Sequence, residues 1–503
     1  MGEAFARVPA LAGQHLLLAM AALTLAIAVA LPLGVVAARR PGVGRVVLGF
    51  ASLVQTIPSL ALLALFYPVL LWIGGVPALG FLPALLALTL YALLPIVRNL
   101  ATGLTGLDSA AREAADGIGM TPAQKLRLVE APLVLPLVMA GIRTAAVWTI
   151  GAATLSTTVG QPSLGDLIFA GLQTQAWPLV IAGCVSAAAL ALGVDALLAL
   201  AERGVARRRP LLAWGALALL AVATLAASAP LWAASDKRVV IGAKNFSEQY
   251  ILARLIGDRL SKAGYRVEYR DGLGSAVAFG AVAGGEIDAY VDYAGTIWAS
   301  EMKRTDVPPR PEQVRAIAAW AKAERGVTLL GPLGFENAYA LAMKGEAARA
   351  KGIASLDDLS RAAGGLRLGA DLEFLDRPEW AAVRRAYGLR FASTTPYAPT
   401  FMYRALESGR ADVISAFSSD GRIAADKLTV LTDPRRAIPG YDAILLLSPK
   451  ATKDVALLAA LRPLVGKIPV DAMREANYMV DRDDARKATP EAVATWLARR
   501  LGL

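Results

Sequence analysis

Five aromatic residues in the C-terminal half sit at the ends of short apolar runs or in turns. They are Tyr290 and Tyr293 in YVDYAGT, Tyr339 in GFENAYALAM, Phe417 in SAFSSDGR and Tyr441 in PGYDA. Electron-rich ring faces attract a cation that cannot donate hydrogen bonds, so several rings around one point select a quaternary ammonium. Taken singly, each ring also suits a packed core. Arg377, Arg404 and Arg422 lie in the same half and have the planar fork that grips a carboxylate; the alternative for each is a solvated surface position. Asp288, Asp292, Glu336 and Asp420 stand beside the ring motifs, where a carboxylate would neutralise an ammonium or simply face water. Acid–base and thiol chemistry have little to work with. The only histidine, His15, opens a hydrophobic stretch, and the only cysteine, Cys184, lies in an apolar run. Disulfide staples, thiolate metal clusters and CxxC redox chemistry are excluded, and zinc hydrolysis and Ser-His catalysis lack their usual base. No metal or cofactor is expected.

The elements that must position these residues belong to two unlike halves. The chain has 503 residues, 56% of them hydrophobic, with mean hydropathy +0.49, too apolar for a wholly soluble protein. Residues 1–235 hold 13 Lys/Arg and 8 Asp/Glu, against 39 and 33 in residues 236–503. Charge density therefore jumps near residue 235. The net +11 is shared almost evenly between the halves, which argues against a nucleic-acid partner.

Apolar runs of about 20 residues, enough to cross ~30 Å of hydrocarbon, occur near 15–38, 48–73, 79–97, 133–155, 178–200 and 211–233. The first has no basic region before it and ends in Arg39-Arg40, unlike a cleaved signal peptide. Arg39, Arg40 and Arg45 follow the first run; Arg98, Arg112, Lys125 and Arg127 the third; Arg203 and Arg207 to Arg209 the fifth. The alternate loops, 74–78 and 156–177, carry no Lys or Arg. The positive-inside rule then puts the basic loops in the cytoplasm and everything after Trp232 outside. Prolines 32, 58, 83, 95 and 136 predict kinks. The spans offer only scattered acids such as Asp195, which argues against an ion or proton relay.

The longest basic loop, 98–132, reads Glu113-Ala114-Ala115, then Gly119, then Val129-Glu130-Ala131-Pro132. A helix with small residues on one side, broken at glycine, can dock into a groove on another protein or lie as an amphipathic surface loop. The spacing resembles the coupling loop of importer permeases of the ATP-binding cassette (ABC) class. Gln55-Thr56-Ile57-Pro58-Ser59, Val159 to Gly165 and Ala170 to Gln175 are similar to permeases for quaternary-ammonium osmoprotectants, the likeness covering about residues 14–205. It implies that Glu113, Ala114, Ala115 and Gly119 contact an ATPase. That ATPase is a separate subunit, since no GxxxxGK[ST] loop occurs and Gly466-Lys467-Ile468 lacks the hydroxyl residue.

In the outer half, apolar segments at 239–242, 266–269, 287–290, 338–343, 366–369, 413–416 and 443–447 alternate with helical patterns. This is α/β rhythm with parallel-sheet connections. Crossings near Tyr339 and Ala443 predict a discontinuous first lobe, a continuous second lobe and a cleft that closes by hinging. The motifs resemble osmoprotectant-binding proteins from about Val239 to the C-terminus. The resemblance implies a ring cage of Tyr293, Tyr339, Phe417 and Tyr441, with polar contacts from Gln249, Thr296 and Asn337. Phe417 stands where a tyrosine is common; it keeps the π face and loses the hydroxyl. An arginine in the cleft would favour betaine, carnitine or ergothioneine, and its absence a choline-like alcohol.

The expected architecture is an α-helical membrane domain of six transmembrane helices, type I ABC importer permease-like (1–210). The last helix and a short linker (211–235) lead to a two-lobed, type II periplasmic-binding-protein-like α/β domain (236–503) on the extracytoplasmic side of the cell membrane. The resemblance implies that two copies of the chain pair and import a trimethylammonium compound, with no covalent chemistry on this polypeptide. An amino-acid importer and a membrane-tethered sensor are the alternatives.

Overall fold

The computed structural model describes residues 5–73, 76–174, 176–232, 237–482 and 484–503. The linker around 233–236 and Gln175 of the predicted outer motif lie outside the described residues. The chain divides into two compact units, one formed by Met1–Ile168 with Pro178–Ala234, the other built mainly on Ser235–Leu503.

Among the described residues of the first unit, five helices are long and apolar enough to cross a membrane. The expected single span at 48–73 is instead two helices, Pro41–Thr56 and Ser59–Ile73, bent by 103°. The break follows from Pro58, which has no N–H to continue the ladder and drives Ile57 to an extended conformation (φ −73°, ψ 125°). Counting the bent pair as one span makes six. Val8–Arg39 packs against Phe81–Thr105 and Ala131–Ala153 through small side chains, among them Ala19, Ala26, Ala30, Ala92 and Ala145. Small residues let helix backbones approach where lipid removes the hydrophobic drive between them. His15 is consumed in this packing: its Nδ1 accepts from the Leu164 amide at 3.3 Å, so Nε2–H donates to the Ile150 carbonyl at 2.9 Å. Asp195 is not a lone acid. Arg143, within Ala131–Ala153, donates to both its oxygens (2.8 and 2.9 Å) and to Glu202 (3.2 Å), tying two helices together.

The second unit contains two five-stranded sheets. The first has the order β2-β1-β3-β10-β4, with β1 Arg238–Lys244, β2 Arg266–Leu273, β3 Ala289–Tyr293, β4 Thr328–Glu336 and β10 Asp442–Leu447. The second has the order β7-β6-β8-β5-β9, with β5 Tyr339–Lys344, β6 Arg367–Asp371, β7 Ser393–Tyr397, β8 Val413–Phe417 and β9 Leu428–Val430. The chain leaves the first lobe after β4 and returns at β10, the predicted division. The expected parallel connections hold for β1 with β2 and β3 and for β6 with β7 and β8, while β10 runs antiparallel to β3 and β4, and β5 antiparallel to β8 and β9. The reason is topological. β1, β3, β6 and β8 end at the cleft, whereas a strand that has just crossed from the other lobe starts there.

Candidate ligand-binding site

That reversal brings the rings together. Tyr339, the first residue of β5, lies in register with Phe417, the last of β8, and Ala443 of β10 with Tyr293, the last of β3. Tyr441 precedes β10 by one residue. In open α/β sheets ligands bind beyond the carboxyl ends of strands, and a cavity of about 540 Å³ opens there between the lobes.

The Tyr339 and Phe417 rings are 5.1 Å apart between centroids, and Tyr441 meets Tyr339 edge-on at 5.7 Å. Phe246, just beyond β1, stacks on Tyr293 at 6.1 Å and lies parallel to Phe417 at 6.3 Å. Thus Tyr293, Tyr339, Phe417 and Tyr441 all line one cavity, as do Thr296 and Asn337. Gln249 does not line it. Its Nε2 donates to the Tyr293 hydroxyl at 2.9 Å from behind, while its Oε1 accepts from the Lys244 amide at 3.3 Å. Burial pushes the phenols of Tyr293, Tyr339 and Tyr441 well above their ordinary value, so the rings are neutral π faces. The Tyr441 hydroxyl donates to Glu379, which fixes the plane of its ring against Gly295, where a Cβ would strike it at 2.3 Å.

Of the three arginines, Arg377 enters the cavity. It is only 7% exposed, sits 5.4 Å from the Tyr339 ring centroid, donates through Nη2 to Glu373 at 2.5 Å and approaches Glu379 at 3.6 Å. Its Nε and Nη1 have no hydrogen-bond partner among the described residues. Arg404 is exposed. Arg422 lies outside this cavity, over Tyr403 at 3.8 Å and paired with Asp420 at 2.8 Å.

None of the four acids flagged in the sequence lines the cavity, and three of them are buried rather than solvated. Asp288 accepts from the Val240 amide at 2.9 Å, Asp292 pairs with Lys244, and Asp420 with Arg422. Glu336, part-exposed, faces Arg310 at 3.4 Å. The carboxylates at the cavity are Asp371, ending β6, and Glu373. Burial and the neighbouring Glu373 charge push Asp371 up to about 6. Burial alone would raise Glu373, but Arg377 and Lys244 outweigh it and hold Glu373 below its ordinary value. Sequence reasoning missed Phe246, Tyr397, Lys244, Asp371 and Glu373 at this wall. Phe246 had a signal, as the residue just before the Ser247–Lys262 helix; Lys244, Tyr397 and Asp371 had none beyond their positions at strand ends, and Glu373, in the helix Leu372–Asp376, had none.

In the first unit, Ser109–Gly117 is capped by Asp108, whose side chain accepts from the Ala110 amide at 3.0 Å. Glu113 and Ala114 face outward and Ala115 is buried. Gly119 at φ +77° ends the segment. Thr121 and Gln124 then form a capping box, and Glu130 accepts from Arg39 at 2.7 Å.

Two lobes, each a sheet whose strands end at a shared ring-lined cleft, define a solute-binding clamshell, here on the same chain as a bundle of membrane helices. Residues 237–499 match the family described as the substrate binding domain of the ABC-type glycine betaine transport system, and residues 30–207 the binding-protein-dependent transport system inner membrane component. The ergothioneine transport permease/ergothioneine binding protein EgtU of Helicobacter pylori (strain G27) is 30% identical over 473 residues, 90% of this chain and 83% of that protein. The glycine betaine/carnitine/choline transport system permease OpuCB of Bacillus subtilis (strain 168) is 44% identical over 193 residues, 38% of this chain and 86% of its own. A solved glycine betaine/carnitine/choline ABC transporter chain is 26% identical, covering 52% of this chain and 98% of its own at TM-score 0.46. The chain belongs to the ABC importers in which an inner-membrane permease is fused to a substrate-binding domain of the glycine betaine type. It is an inner-membrane transport protein with an extracytoplasmic binding domain.

Proposed function

We propose that the cleft captures a trimethylammonium compound that also carries a carboxylate, and that the membrane half passes it inward. The observation that carries this reading is Arg377: a buried guanidinium in a ring-walled cavity, with Nε and Nη1 making no hydrogen bond among the described residues although Nη1 lies 3.6 Å from Glu379. A buried charge left with open donors is costly unless a ligand supplies acceptors. The rings Phe246, Tyr293, Tyr339, Phe417 and Tyr441 take the ammonium, Thr296 and Asn337 give polar contacts, and Gln249 orients Tyr293. A choline-like alcohol leaves Arg377 unanswered. Ergothioneine is the first compound to test, because the relative matching along both halves is named for it.

Membrane and linker residues 1–210 and 211–235 form the permease with its tether, and 236–503 the receptor. Two copies pair around the pore. A separate cytoplasmic ATPase docks on the outward face of Ser109–Gly117, where Glu113 and Ala114 are exposed beside Gly119 and Ile118, itself 74% exposed. Ala115 holds that helix from beneath.

Calorimetric titration of the full chain in lipid nanodiscs against ergothioneine, glycine betaine, carnitine, choline and histidine tests the reading. The betaines should bind and choline should bind more weakly. Histidine binding as tightly as any N-methylated compound would overturn it.

A further inference from the structure

Two carboxylates touch the ring wall from behind, Glu379 on Tyr441 and Glu248 on Tyr293; Glu379 faces Arg377 at 3.6 Å, and Glu248 faces no cation among the described residues. Glu248, in the first turn of Ser247–Lys262, is 3% exposed. Its Oε1 accepts from the Tyr293 hydroxyl at 2.6 Å and from Asn337 Nδ2 at 3.0 Å, and its Oε2 from Asn477 Nδ2 at 2.8 Å. Among the described residues no cation pairs with it; Lys244 is held by Asp292, and Arg422 by Asp420 and, at 3.9 Å, Asp481.

The direction of each hydrogen bond is fixed. The Lys244 amide donates to Gln249 Oε1, so Gln249 Nε2 faces the Tyr293 oxygen and donates to it. The Tyr293 proton therefore goes to Glu248. The Tyr293 hydroxyl and the Asn337 and Asn477 amides all donate to the carboxylate, the arrangement that suits the anion, and the Ser419 hydroxyl beside it can donate as well. Burial works the other way and raises Glu248 above its ordinary value, against the hydrogen bonds from Ser419, Tyr293, Asn477 and Asn337.

We propose that Glu248 is the counter-charge of the ring cage: hydrogen-bonded to the Tyr293 hydroxyl, its carboxylate enriches that ring and makes the receptor prefer a trimethylammonium to an uncharged group of the same shape. Glu248 is thus a positioning residue that never touches the ligand. This rests on the trimethylammonium reading above. It also gives Gln249 a role, as the donor that turns the Tyr293 proton toward the carboxylate. Asp371 and Glu373 line the cavity directly, but Glu373 is already paired with Arg377.

The test compares glycine betaine with its carbon isostere, 3,3-dimethylbutanoate, on the full chain by calorimetry. Both carry the carboxylate, and only one carries the quaternary nitrogen. Glu248→Gln keeps the side chain's size and an oxygen for Tyr293. Asn477 Oδ1, without a hydrogen-bond partner among the described residues, can accept the new N–H once the Asn477 amide turns and gives up its bond to the Ser419 carbonyl, a change that both compounds share. The variant should weaken glycine betaine about tenfold, the scale of one charge several ångströms away at an effective dielectric near 20, and change the isostere by less than about twofold. In a Tyr293→Phe background, which removes the hydrogen bond but leaves the carboxylate in place, Glu248→Gln should still weaken glycine betaine more than the isostere, but by less than in the unmodified chain. Equal loss for both compounds, or preserved discrimination, overturns the role of Glu248 and leaves the cage standing. A wild-type chain that binds the two compounds equally overturns both.

Discussion

Arg377→Lys separates a carboxylate clamp from a mere positive charge. Lysine retains the cation beside Glu373 and Glu379, so the buried acids stay compensated, but it replaces a planar fork by a point donor. In the structure Arg377 already spends Nη2 on Glu373, Nη1 lies 3.6 Å from Glu379, and Nε and Nη1 are buried without a hydrogen bond among the described residues, so a carboxylate that draws the guanidinium out would satisfy them. Hydrogen bonds involving a charged group contribute about 1.5–3 kcal/mol each. Losing one of the two, with the guanidinium's contact over Tyr339 at 5.4 Å, should cost about 2–3 kcal/mol, or roughly 30- to 150-fold in Kd for ergothioneine or glycine betaine. Choline has nothing for the fork to hold and should shift by less than about threefold. Titration of the full chain in nanodiscs reads both, and a melting curve verifies that the variant is folded. Equal losses for betaine and choline, or no loss for betaine, would refute the assignment of Arg377 to the carboxylate.

Three other perturbations follow from the same geometry. Tyr339→Ala removes a ring in contact with Phe374, Phe417 and Tyr441; Kd should rise at least tenfold in titration and stability should fall by about 3–5 kcal/mol on thermal melting, while Tyr339→Phe should keep most of both. Asp371, pushed up to about 6 from 3.8, binds its proton more tightly folded than unfolded, so its effect is absent below about pH 4 and becomes a penalty of about 2–3 kcal/mol above pH 6. Asp371→Asn should therefore raise the ligand-free melting temperature at pH 7 and not at pH 4; identical gains at both would reject the shift. Glu113→Lys, on the exposed face of Ser109–Gly117, should leave ligand titration unchanged and abolish ATP-dependent uptake in proteoliposomes containing the ATPase; normal uptake would remove Glu113 from the docking surface.

The membrane half was legible because its signal is cumulative: runs of about 20 apolar residues outweigh any single substitution. What failed there was local. A kink at Pro58 was legible, but not its size: the second run bends by 103°, and a hydropathy window does not register one missing N–H. Arg143 escaped notice because its partners Asp195 and Glu202 lie 52 and 59 residues away. In the receptor, the strand periods located most elements, but β7 (Ser-Thr-Thr-Pro-Tyr) is largely exposed and carries a proline, so it lacks the apolar alternation of a strand. β4 contains Gly331, Pro332 and Gly334 and reads as a turn. The cavity acids were misplaced for a related reason: adjacency to a ring motif in sequence alternates faces along a strand, so Asp292, next to Tyr293, points into the core against Lys244. Arg377 reaches the cavity from a helix start that no ring motif marks.

The distribution of these groups between lobes bears on how binding becomes transport. Phe246, Tyr293 and Thr296 belong to the first lobe, and Asp371, Arg377 and Phe417 to the second. A ligand whose ammonium rests on Tyr293 and whose carboxylate reaches Arg377 contacts both lobes and stabilises their approach by the sum of two attractions. A ligand without the carboxylate still touches rings of both lobes, Tyr293 of the first and Phe417 of the second, but forgoes the attraction of Arg377. Conformational equilibria shift only by the differential affinity of a ligand for the two states. Choline should therefore hold the lobes together less firmly than a betaine does, and its uptake per binding event should fall further than its affinity. Because Glu248 joins Tyr293 and Asn337 to Asn477, and Asn477 also donates to the Ser419 carbonyl of the second lobe at 2.9 Å, the polar network behind the cage spans the same divide. The charge that favours the ammonium and the contacts that the hinge must carry thus meet at one side chain, which couples recognition of the cation to the relative position of the lobes.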